Sequence, residues 1–158
     1  MKKFLFIRAT FVAIVLAVTT ACSPTTTSTV TNAVNIAQQV DTAAQTVLSG
    51  AEIAWPLIVQ FIAPAGQAAA TAAFSAATLV ANKSLLALSD AIAAAQAANQ
   101  TNPDFSAAIA AVTDAVSQVI AIVNQFKTQS PASAAPGMLS NYDPNADLAV
   151  LKRVAHVK

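Results

Sequence analysis

The side chains best suited to covalent, acid–base or metal chemistry in this sequence are one cysteine, one histidine and seven carboxylates. Asp41, Glu52, Asp90 and Asp114 lie far apart along the chain. Two of them would have to meet across a fold to work as a general acid and a general base. Isolated acids on alanine-rich helices more often face water, and that is the role expected of these four. His156 stands close to the C-terminus in a stretch expected to be mobile, whereas a catalytic imidazole must be held rigidly beside its partners. No Cys/His cluster has zinc-site spacing, and no glycine-rich phosphate loop is present. The sequence therefore predicts no metal, no cofactor and no enzymatic activity. Cys22 is left, the only thiol, in VAIVLAVTTACSP (Val12–Pro24), between an apolar run and a threonine-rich stretch.

What precedes Cys22 has the three parts of a secretory signal. Lys2, Lys3 and Arg8 form a positive start, FVAIVLAV (Phe11–Val18) an apolar centre, and TTA a small-residue approach to a cleavage point. The apolar run is shorter than the roughly 20 residues of an ordinary transmembrane helix. An odd cysteine in a secreted chain is otherwise read as a free thiol or half of an intermolecular disulfide.

Residues 1–24 resemble the leaders of bacterial lipoproteins, and VTTAC resembles their lipobox. In that family a signal peptidase cuts before a cysteine that carries a diacylglyceryl group, and the new amine is often acylated as well. The resemblance implies cleavage between Ala21 and Cys22 and a covalent lipid on Cys22, with no other cofactor. Thr19 stands where the family usually has leucine, which leaves ordinary cleavage after Ala21 open. Ser23 replaces the aspartate that retains some enteric lipoproteins in the inner membrane, so the resemblance implies a periplasm-facing protein at the outer membrane. One acyl chain holds a protein marginally and two or three hold it firmly, at about 0.8 kcal/mol per buried methylene.

Composition narrows the fold. The chain is 56% hydrophobic and only 9% charged, against roughly 25% charged in an average soluble domain, a balance that favours a packed helical protein over a disordered one. About a quarter of its 158 residues are alanine, the best helix former. With the three leader cations set aside, five basic residues face seven acidic ones, a net charge of −2. That argues against a nucleic-acid partner, which needs a dense basic surface.

The elements follow from the spacing. A polar tether is expected over 22–29 and a helical domain over 30–128. Val30, Ala33, Ala37, Val40, Ala44 and Val47 recur on one helical face, with Gly50 placed as a C-terminal stop. A break or kink is expected at Trp55-Pro56 and another at Pro64 and Gly66. Residues 67–98 predict a long helix with Phe74, Thr78, Ala81, Leu85, Leu88, Ile92 and Ala95 on its inner face, and Gln67, Thr71, Ser75 and Thr78 on a water-facing stripe. Asn102 is expected to cap a third helix, with Pro103 at its first position and Phe105, Ile109, Val112, Val116, Val119, Val123 and Phe126 on its seam. Two such helices joined by a short loop should pack antiparallel. The predicted fold is all-α, a small bundle dominated by this alanine-rich hairpin, with Phe105 near Ile92 and Ala95 and Phe126 near Phe74. A flexible linker is expected over 129–147, then a short basic helix or tail over 148–158, marginal unless it docks.

Two segments invite a functional reading. Trp55, Leu57, Ile58, Phe61 and Ile62 are expected to be core, with lipid contact as the sharper alternative, since no charge occurs between Glu52 and Lys83. Lys152, Arg153 and Lys158 can meet an anionic surface. Murein lipoproteins combine an acylated Cys-Ser start, alanine-rich heptads and a C-terminal lysine joined to peptidoglycan. Cys22-Ser23, the heptads and Lys158 resemble that plan, while the internal prolines and the linker depart from it. The reading is a membrane-anchored envelope lipoprotein with a structural or protein-interaction role, its partner another envelope protein or peptidoglycan. The alternative is a membrane-active protein, a pore subunit or lysis factor, acting through residues 53–81.

Overall fold

The computed structural model describes residues 28–128 and 142–156. The leader, Ala21, Cys22, most of the expected tether and linker, and Lys158 lie outside the described residues. Of those described, 86% are helical and none is in a strand. The fold is an all-α bundle of α1 (Ser28–Val59), α2 (Pro64–Ala97), α3 (Ser106–Lys127) and α4 (Pro144–Ala155). The α2/α3 hairpin makes the most extensive interhelical contact, α1 packs on both of its helices, and α4 lies against α1 and α3.

The three-and-four spacing of apolar residues settles which face of each helix points inward. Ala37, Val40, Ala44 and Val47 of α1 are buried, as are Phe74, Ala81, Leu85, Leu88, Ile92 and Ala95 of α2 and Val112, Val116, Val119 and Val123 of α3. Each of the four helices contributes a large side chain excluded from solvent: Ile58, Leu88, Ile120 and Leu151. No polar or charged residue among those described is buried. The core is therefore held by apolar burial at roughly 1.5–3 kcal/mol per large side chain.

Two local expectations are corrected, at Gly50 and at Pro56. Gly50 does not stop α1. It has no positive φ, and its missing side chain makes room for Tyr142, whose Cε2 would lie 3.1 Å from a Cβ there. Pro56 does not break the helix either. It is exposed and stands less than one turn from the end of α1, so the backbone bond it removes leaves a carbonyl at Glu52, itself an exposed residue. The break expected near Pro64 is the turn at 60–63, where Phe61 and Ile62 donate to the carbonyls of Ile58 and Val59 and the Gln67 side chain donates to the carbonyl of Ile62 at 2.9 Å. Pro64 then opens α2 at a position that needs no N–H.

The α2–α3 connection also differs from expectation. α2 ends in a Schellman arrangement, with Gln100 N–H on the carbonyl of Ala95 and Asn99 N–H on that of Gln96. Asn99 takes the left-handed conformation, φ 48°, usually given to glycine. α3 begins at Ser106 and not at Pro103. Asn102 caps nothing, and Asp104 instead accepts from the Ser106 N–H at 2.9 Å. Pro103 and Phe105 are buried, so the loop is pinned by packing before the helix starts.

The C-terminal segment docks. α4 begins at Pro144, capped by the Asp143 carboxylate, which accepts from the N–H groups of Asn145 and Ala146. Lys127, at the end of α3, donates to the carbonyl of Tyr142, and Asn124 donates to Asn145 at 2.8 Å. Twelve residues would be marginal alone, but Leu151 and Pro144 are buried and Leu148 and Val154 pack on the core.

Candidate functional site

The four acids singled out by sequence are not assembled into a pair by any geometry described here. Glu52 is exposed beside Gln45, Asn82 and Leu86. Asp41 is half-buried on α1, accepts from the Gln45 amide at 2.9 Å, and its carboxyl is raised by burial and partly lowered by that hydrogen bond. Asp90 is exposed on α2 and Asp114 on α3.

His156 is better placed than the sequence suggested. It caps α4, its N–H donating to the carbonyls of Lys152 and Val154. Together with Asp104 and Asp114 it borders a hollow of about 490 Å³ at the start of α3, floored by Ile36, Phe105 and Ile109. Residues distant in sequence meet here because α4 docks beside the α2–α3 loop, a tertiary event with no local signature. The Asp104 carboxyl is held below the ordinary carboxylate range by hydrogen bonds from the Ser106 hydroxyl and N–H. The hollow has an apolar floor and acids that are exposed to water, and no group of three metal-ligating side chains forms among the described residues. It lacks the buried, mutually oriented polar groups that acid–base chemistry uses.

The aromatic segment is core. Trp55, Ile58 and Ile62 are buried, and Leu57 and Phe61 are half-buried. Trp55 stacks on Phe74 with ring centroids 4.3 Å apart and planes within 1°, and Phe126 meets it edge-on at 5.8 Å. Phe74 and Phe126 thus each meet the indole. The indole N–H is buried without an acceptor among the described residues.

The surface holds the more distinctive feature. Ile53, Leu79, Val80 and Leu86 are 68, 56, 49 and 65% exposed. Three of them belong to α2, whose outer face is otherwise mostly alanine. α2 and α3 are also long and apolar enough, by length and composition, to cross a membrane, a weak pointer to membrane association. Lys152 and Arg153 are exposed on α4. No protein-family model, curated protein or solved structure matches the chain, so the bundle and its surfaces stand on their own geometry.

Proposed function

We propose that this is a lipid-anchored protein of the bacterial envelope, facing the periplasm, with a structural or protein-interaction role. The reading is carried by the single cysteine placed directly after a signal-like leader. The body supports it in a consistent way. It buries no polar residue among those described, and Glu52, Asp90, Asp104, Asp114 and His156 are exposed, which suits a protein that works through its surfaces. Acylation of Cys22 would leave the folded domain a few residues from the bilayer, since α1 begins at Ser28. The outer membrane is favoured by Ser23.

The test is the intact mass of the processed protein from native membranes, beside a Cys22→Ala version. A chain starting at Cys22 with added acyl mass, absent from the variant, supports the reading. An unmodified chain refutes the anchor. A second reading, membrane disruption through residues 53–81, draws on the exposure of Ile53, Leu79 and Val80. It requires dye release from liposomes by the unacylated body, and an inert body removes it.

A further inference from the structure

We infer that the outer face of α2 pairs with the same face of a second copy of this chain, antiparallel, about a two-fold axis between Leu86 and Ala87. With 3.6 residues per turn, Leu79, Val80, Lys83, Leu86, Ala87 and Asp90 fall on one stripe opposite the buried face, and all six are exposed. The other positions of the stripe, out to Ala65 and Ala97, are alanines. The polar stripe through Thr71, Ser75 and Asn82 runs beside it and not through it. Lys83 and Asp90 are the only charges in α2. They point the same way but stand seven residues apart, about 10.5 Å along the axis, beyond the three- or four-residue step at which helix side chains pair.

That spacing is self-complementary. A two-fold axis midway between the two charges sets Lys83 of each copy against Asp90 of the other, so both charges are answered twice by one operation. Isologous contact of this kind is the commonest protein symmetry. The same axis sets Leu86 opposite Ala87 and Leu79 level with Ala94 of the second copy, large against small. Alanine at the remaining contacts allows the helices to approach to the short end of the usual 8–10 Å range. At typical interface burial per residue, the stripe hides roughly 400 Å² on each copy, the size of a weak, reversible pair. A lipid surface would match the apolar residues equally well but would give no reason for one cation and one anion at this spacing.

Two differently tagged copies of the full chain, co-expressed and recovered from membranes in mild detergent, test the pairing by co-isolation. Lys83→Glu alone, or Asp90→Lys alone, turns two attractions into two repulsions and should cut recovery about tenfold or more. Co-expressing the Lys83→Glu chain with the Asp90→Lys chain should restore it. Both sites are exposed, and unchanged helical circular dichroism of each variant shows that the fold survives. Failure of the wild-type copies to co-isolate, recovery indifferent to the single reversals, or no rescue in the mixture each overturns the proposal. So does binding of the monomeric, unacylated Cys22→Ala chain to phosphatidylcholine vesicles that a Leu86→Ser change abolishes, which would make lipid the occupant.

Discussion

Replacing Phe74 by alanine tests the orientation of α2 with a number. Phe74 is buried, stacks on Trp55 at 4.3 Å, and sits where α1, α2 and α3 meet. Truncating a buried phenylalanine removes transfer free energy and leaves a cavity, about 3–5 kcal/mol together, of which the stacked pair contributes about 0.5–1.5 kcal/mol. Leu79 is five positions further along the same helix, nearly as large, and 56% exposed. Leu79→Ala should change stability by no more than about 0.5 kcal/mol. Urea unfolding of both variants can be followed by circular dichroism and by the fluorescence of Trp55, the only tryptophan. With a denaturant slope of about 2 kcal/mol/M, the Phe74→Ala midpoint should fall by about 1.5–2.5 M while that of Leu79→Ala stays put. Equal shifts, or a Phe74→Ala loss below about 1 kcal/mol, would refute the packing described here.

Three further outcomes follow from the same structure. Leu151→Ala should destabilise the bundle by about 2–5 kcal/mol and expose residues 144–155 to proteolysis, because Leu151 is the fully buried anchor of α4. The phenol of Tyr142, the only tyrosine, is pushed up to about 12 by burial and by the Asp147 charge. Its folded value lies above the ordinary 10.0, so its contribution is present below pH 10 and lost as pH rises towards 12. Ultraviolet titration should show this late ionisation, and Tyr142→Phe should remove that part of the alkaline loss. Burial raises the Asp41 carboxyl, so its ionised form favours unfolding. Asp41→Asn should therefore raise the melting temperature at pH 7, with the gain gone at acid pH where Asp41 is protonated in both states, as thermal scans at the two pH values will record.

The inward faces of α1, α2 and α3 were legible because alanine, valine and leucine repeat at helical spacing with little to compete. The errors fell where tertiary contact overrides local chemistry. Gly50 has the look of a helix stop, but Tyr142, far along the chain, packs over it and turns it into a point of close approach. Asn102 and Pro103 read as a cap, yet burying Pro103 and Phe105 delays the helix to Ser106. The hollow joining Asp104, Asp114 and His156 depends on where α4 docks, which twelve residues of sequence do not specify. The stripe of α2 is not legible in the sequence for a different reason. Alanine scores as apolar whether it faces a core or water, and only the exposure of Leu79, Val80 and Leu86 separates the two faces.

The measurement that bears most directly on the account is the membrane dependence of the full chain and of its Cys22→Ala variant, read by alkaline carbonate extraction of the producing cells. If the lipid is the anchor and the bundle is a soluble body, the native chain stays with the membrane and the variant is released, folded, with its helical spectrum intact. A Cys22→Ala chain that has lost its leader, by intact mass, and still remains in the carbonate-washed membrane would show that the helices themselves are embedded, and would contradict it.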